Sequence, residues 1–227
     1  MMTYNPPYYE RLVEEFGFRK SQDLYAYWGS IDMLPVVVER YGPVSQQIRE
    51  RFQVNVRPLD KSRFQQDVEA FISIYNRALS NTWGFVPMSA HEVRHMAKGL
   101  RYLIVPELAL GAEIDGRLVG AVFGLPDYNP RIKQIDGRLF PLGFLRLLRN
   151  KQNIKRIRLI STNVLPEFQR MGVGMVLLGG LVPLAMEWGI QEAEFSWVLE
   201  SNYLSRGSLE KGGAKVAKTY RLFDYRP

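Results

Sequence analysis

The chain of 227 residues contains no cysteine and only two histidines, His91 and His95. Without a thiol there is no disulfide, no thiolate metal site and no cysteine nucleophile, so any group transfer by this chain would not pass through a cysteine adduct. The two histidines share one helical face and read as surface or capping residues. They are too few for a histidine-rich site, and no metal is expected. Long apolar runs are missing as well. The nearest is the uncharged stretch from Met171 to Met186, 16 residues that fall short of the ~20 a bilayer needs and include Gly172, Gly174, Gly179, Gly180 and Pro183. It reads as a buried helix, not a span. The opening residues, Met1-Met2-Thr3-Tyr4-Asn5-Pro6-Pro7, lack a basic segment followed by an apolar run, so a cytoplasmic location is expected. Acids are scarce in one place: between Arg131 and Arg158, nine Lys or Arg accompany a single acid, Asp136. Much of the formal charge of +7 therefore sits in one segment. It suits an anionic partner such as a phosphate-bearing coenzyme, or else forms a solvated basic face. No recognised nucleic-acid motif accompanies it, and nucleic acid is not expected as a partner.

What the chain does have is Gln169-Arg170-Met171-Gly172-Val173-Gly174, set between the apolar strand 157–164 and an apolar helix that begins near Val173. Two glycines at this spacing let backbone N–H groups crowd around an anion without Cβ obstruction. The helix then offers its unpaired first-turn N–H groups and the positive end of its dipole to the same anion. Strand, turn and helix together make the case that a Gly-x-Gly alone would not.

With the preceding Val164-Leu165-Pro166-Glu167-Phe168, this segment resembles the acetyl-coenzyme A signature of the GCN5-related N-acetyltransferases. Glu200-Ser201-Asn202 after the strand 193–199, and Gly212-Gly213-Ala214 about one helix later, resemble that family's Asn-containing strand exit and its glycine turn into the last strand. The resemblance covers roughly residues 52–227 and implies a mixed α/β fold, a mostly antiparallel central sheet flanked by helices in the order β-α-α-β-β-β-α-β-α-β. It implies acetyl-CoA or another acyl-CoA as co-substrate, and an amine of a small molecule or amino acid as acceptor. It places the pyrophosphate on Gln169, Arg170, Met171, Gly172, Val173 and Gly174, the pantetheine arm along the backbone of Thr162, Asn163 and Val164, and a hydrogen bond to that arm on Asn202. Asn202 can equally cap a helix. One position departs from the family: many members carry a proton-donating Tyr seven residues after the Asn, where this chain has Leu209.

Periodicity gives the remaining elements. Residues 54–59 alternate as a short strand, and 63–79 repeat apolar positions at helical spacing. Ser89 with Glu92 three residues later reads as a capping box opening a helix to about Gly99. Strands 109–114 and 118–124 are joined by Asp115-Gly116, a hairpin signal. Asp127-Tyr128-Asn129-Pro130 breaks the second strand, and an insertion, 131–155, holds a short helix around 142–149. Residues 1–51 form an N-terminal extension ahead of the acyltransferase domain 52–227. Within it, Asn5 to Gly17-Phe18 resembles a second copy of the Asn-to-glycine ending, with Asp23–Tyr27 matching Thr219–Phe223. This suggests the remnant of an upstream acetyltransferase-like domain in a truncated tandem protein.

Acyl transfer to an amine needs the thioester held, its carbonyl polarised and the amine deprotonated. The N–H groups near Val164 would stabilise the oxyanion. Glu113, Asp127 and Glu200 are candidate bases, beside a water-relayed route with no dedicated base. Tyr128, Tyr203 and Tyr220 are candidate acids in place of the absent Tyr. Trp83 and Phe85, with Asp127 and Trp197, are candidates to line an acceptor pocket. Other readings stay open: a non-catalytic acyl-CoA-binding or docking module, or an acyltransferase drawing on acyl-carrier protein or aminoacyl-tRNA. Homodimerisation is an open expectation.

Overall fold

Asp115 and Gly116 adopt φ of 51° and 73°, the left-handed pair that a two-residue hairpin demands. That turn folds β3 (Ala109–Ile114) onto β4 (Arg117–Pro126), as the sequence leads one to expect. In this computed structural model residues 4–225 are described. Met1, Met2 and Thr3 of the opening stretch, and the last two residues of the 52–227 resemblance, lie outside them. Two compact units are present.

The central unit runs from Ser30 to Ala193. Its strands lie in the order β2-β3-β4-β5, where β2 is Asn55–Pro58 and β5 is Arg156–Val164, every neighbouring pair antiparallel. Helices α2 (Leu34–Arg51), α3 (Phe64–Ala78), α4 (Ala90–Leu100) and α7 (Val173–Trp188) accompany them. α4 opens with the expected capping box: Glu92 N–H donates to Ser89 Oγ (3.3 Å) while Ser89 N–H donates to Glu92 Oε2 (2.8 Å). α7 is apolar on nearly every face and sends Val173, Val176, Leu177 and Leu181 into the core, which fits its uncharged sequence. The insertion carries two short helices, α5 (Asn129–Gln134) and α6 (Gly143–Leu148). The first begins where a break was expected, because Pro130 suits a helix's opening position and Asp127 Oδ1 accepts from Asn129 N–H at 3.0 Å.

The terminal unit joins the residues up to Gly29 with those from Glu194 onward. It holds α1 (Tyr8–Glu15), α8 (Tyr203–Lys211), β7 (Lys215–Tyr225) and most of β1 (Phe18–Ser30) and β6 (Glu192–Leu199). The strand order here is β6-β1-β7. Asp23–Tyr27 is a strand, and the segment it resembles is its partner: Asp23 lies opposite Arg221 and Tyr25 opposite Thr219 in an antiparallel ladder. Residues 1–51 do not make a unit of their own; those up to 29 belong to the terminal unit and 30–51 to the central one. Taken from β2 onward, the elements follow the β-α-α-β-β-β-α-β-α-β order, with α5 and α6 inserted before β5.

Candidate functional site

The glycine turn is built from the end of β5. After Val164 the chain enters a 3-10 turn, Pro166–Met171, which stops at Gly172 with φ 78°. No L side chain adopts that conformation readily, and a Cβ on Gly172 would also come within 2.6 Å of Ile48 Cδ1 on α2. Gly172 thus ends the 3-10 turn and starts α7 at one residue. Gly174 faces the strand: a Cβ there would sit 3.8 Å from both Thr162 Cγ2 and Val164 Cγ2. Thr162 and Val164 therefore share one face of β5 at the mouth of α7, and Asn163 points to the other face, where it is buried and donates to Ser161 Oγ. α7's first-turn N–H groups open at this place with no carbonyl ahead of them in the helix.

Two side chains of the turn brace it through contacts that sequence reasoning did not supply. Gln169 Nε2 donates to the Val164 carbonyl at 3.1 Å, tying the turn back to its strand. Glu167 accepts from Arg77 of α3 and Arg117 of β4, both at 3.0 Å; a backbone hydrogen bond above all, and then these two cations, hold its carboxyl below the usual range. β5 itself is bulged: Ser161 pairs with Phe123 and Leu159 with Gly124, which leaves Ile160 as the extra residue. Bulges free local backbone groups and redirect a strand, and this one directly precedes Ser161–Val164.

The other candidates fall in different places. Glu113 lies on β3, separated from β5 by β4, and accepts from Arg57 Nε at 2.7 Å; the same guanidinium binds Asp67 at 2.7 and 2.9 Å. Asp127 N–H pairs with the carbonyl of Arg156, at the start of β5. At ~3.3 Å per residue, the length of that strand puts Asp127 roughly 26 Å from the glycine turn. Tyr128 beside it is buried, donates to the Leu103 carbonyl at 3.0 Å, and is pushed up to about 12 by burial. That makes it a reluctant proton donor. In the 81–88 loop Phe85 packs edge-on against Tyr75 at 5.4 Å, while Trp83 is exposed.

Within the terminal unit, Asn202 caps α8, its Oδ1 accepting from Ser205 N–H at 3.1 Å. Glu200 is engaged by Lys20 at 2.9 Å and by the Asp23 N–H at 3.2 Å, and both lower its pKa, Lys20 more. A carboxylate so held is ionised but weakly basic. Trp197 stands edge-on to Tyr220 at 6.4 Å and is exposed. Only a tertiary structure could show these pairings, since Lys20 and Glu200 are 180 residues apart.

Residues 68–213 match the model of the acetyltransferase (GNAT) family. Across 99% of its length the chain is 34% identical to a Caulobacter vibrioides protein named bacterial ceramide synthase, and 30% identical to Protein YghO of Escherichia coli. It spans 59% and 58% of those two proteins, under two thirds of either. Among solved structures, a GCN5-related N-acetyltransferase from Sphaerobacter thermophilus superposes with a TM-score of 0.61 at 17% identity, covering 95% of this chain and 55% of that one. A glucosamine N-acetyltransferase region of a fungal multi-domain enzyme gives 0.57 at 12% identity, with 95% and 22% covered. At such identities the structural likeness shows the fold. Among the described residues no helix is long and apolar enough to cross a membrane.

Proposed function

As this chain belongs to the acetyltransferase (GNAT) family, we propose that it moves an acyl group from acyl-CoA directly to the nitrogen of an amine. One observation carries the reading: Gly172 in the left-handed region delivers α7's first turn to the end of β5, where Gly174 leaves open the space in front of Thr162 and Val164. A pyrophosphate placed there would meet first-turn N–H groups and the positive end of the helix dipole, with the exposed Arg170 two residues before Gly172 in the chain. Acyl-CoA, when bound, supplies an activated thioester carbon. The chain's own groups do the rest. Gln169 fixes the turn to the strand, the backbone of Thr162, Asn163 and Val164 orients the arm, and an N–H near Val164 polarises the carbonyl oxygen. The amine nitrogen bonds to the carbonyl carbon as the carbon–sulfur bond breaks; the nitrogen loses a proton and the departing thiolate gains one. Glu113 and Glu200 are already paired with cations, which favours a water relay for the first proton.

The acceptor class to try first is a long-chain amino alcohol, because the Caulobacter relative is named for making an N-acylated lipid. Small amines and amino acids come next. Leu209, where many family members place a Tyr, favours a second reading in which the chain binds acyl-CoA without turning it over.

Calorimetric titration with acetyl-CoA, longer acyl-CoAs and free CoA tests the site. Micromolar binding that disappears in Gly174→Trp supports it. The absence of binding to every one of them would remove the proposal. Amide product detected by mass spectrometry would then separate turnover from binding alone.

A further inference from the structure

The insertion between β4 and β5 puts its apolar side chains outside. Phe140 is 81% exposed, Leu142 64% and Leu145 51%, with Leu139 beside them. This is not a loose loop. Arg131 of α5 reaches across to the end of α6 and donates to the carbonyls of Leu147 (3.0 Å), Arg149 (2.5 Å) and Asn150 (2.6 Å). Phe144 N–H donates to the Leu139 carbonyl at 2.9 Å, and a Cβ on Gly143 would collide with the Arg138 carbonyl oxygen at 1.9 Å, so the turn between the helices is tightly wound. The rings of Phe140 and Phe144 lie 6.0 Å apart. Folding therefore holds a cluster of apolar side chains out in solvent, where each costs free energy unless something covers it.

The charges around the cluster point to what covers it. Arg138 and Arg146 flank it within the basic segment noted above, whose only acid, Asp136, lies 3.9 Å from Arg138 with both side chains in solvent, where such a pair is weak. Lys151 donates to the Tyr102 carbonyl, which joins the base of the insertion to another exposed aromatic and to Arg101. Apolar tips ringed by long cationic side chains match the layering of a bilayer surface, with acyl chains beneath anionic phosphates.

We propose that residues 131–151 form a docking surface for an anionic lipid membrane, with Phe140 and Leu142 entering the interface and Arg138 and Arg146 at phosphate depth. The chain would lie on the bilayer without crossing it. The proposal does not depend on acyl transfer or on the glycine turn.

Co-sedimentation of the full chain with vesicles of phosphatidylcholine, alone or mixed with phosphatidylglycerol, decides it. Binding is expected to the mixed vesicles and to weaken as salt rises. The double variant F140S/L142S is expected to bind about tenfold or more weakly at every salt concentration. R138Q/R146Q is expected to lose binding mainly at low salt, where screening is least. All four positions are at the surface, so unchanged circular dichroism and melting temperature separate loss of docking from loss of fold. Failure of the parent chain to bind phosphatidylglycerol vesicles at low salt overturns the proposal. So does undiminished binding of F140S/L142S. Self-association of the parent chain that this variant abolishes, without vesicle binding, would reassign the surface to a protein partner and overturn it equally.

Discussion

The two units cohere by different means. The large buried cluster, from Val54 to Ile190, lies wholly in the central unit, with Leu108, Leu110, Val119, Val122, Val173 and Leu177 sealed from solvent. The terminal unit buries little of that kind: Ala26, Tyr27, Val198 and Ala214, together with the polar Asp23 and Ser196. Its strands are fastened by charge. Arg221 grips Asp23 in a bidentate pair at 2.8 and 2.9 Å and also meets Glu10, while Lys20 bridges Asp23 and Glu200. Tyr27 donates to Glu210 at 2.6 Å from a buried ring. Apolar burial is indifferent to pH and only weakly sensitive to moderate salt, whereas ion pairs respond to both. One chain thus contains a unit whose stability depends on volume and another whose stability depends on protonation.

The largest effect should come from the apolar side. Leu177→Ala removes a fully buried side chain and is expected to cost about 2–5 kcal/mol by urea denaturation. A cost under about 1 kcal/mol would mean that the core does not govern this unit. Next comes Arg221→Ala, which leaves the buried Asp23 carboxylate with Lys20 as its remaining cation and should cost about 1–3 kcal/mol, seen as faster amide exchange in β1 and β7. Exchange in β3 and β4 should stay unchanged if the two cohesions are separate.

Acid sharpens the contrast. Asp23 is held below the ordinary aspartate value by Arg221 against the opposing effect of burial, with Lys20 adding to it. For Asp67 burial is the largest influence and acts upward, yet Arg57 and the Asp60 N–H together outweigh it. A carboxyl whose folded pKa lies below its unfolded value of about 3.9 stabilises fully above that value and loses its contribution as pH falls through the folded one. Both units should therefore weaken below about pH 4, the terminal unit first because less apolar burial backs it. Asp23→Asn should flatten the acid response of β1 and β7 amides, and Asp67→Asn that of β2 and β3. The smallest effects are the caps. Ser89→Ala and Asn202→Ala should each cost about 1 kcal/mol, one in each unit, by thermal unfolding.

Local rules were legible in the sequence where neighbours in the chain decide the outcome. Asp115-Gly116 forms its hairpin, Ser89 and Glu92 form their box, and the uncharged 171–186 stretch becomes a buried helix, because turn chemistry, capping and periodicity act over a few residues. The start of α5 was hidden because Asn129-Pro130 serves a break and a helix start equally well. The placement of β1 was beyond reach, since its thirteen residues give no local sign that β6 and β7 would flank them. At the candidate site, the glycines announce the turn, but the Gln169 clasp depends on how the turn folds back on β5, and the Ile160 bulge on where β5 and β4 meet. The ion pairs on Glu113 and Glu200 come from partners distant in sequence, Arg57 and Lys20, so composition could nominate those carboxylates without revealing how they are held.

The weaving of β1 between β6 and β7 also sets a timetable. Asp23 and Arg221 are 198 residues apart, so at ~5–20 residues per second a ribosome releases the first roughly 10–40 s before the second. Until β6 and then β7 are made, Ala26 and Tyr27, fully buried at the end, have no flanking strand to cover them. The central unit can fold before β7 is made; the terminal unit must wait for it, and a nascent chain stalled before β6 and β7 would expose an aggregation-prone strand that a chaperone must shield.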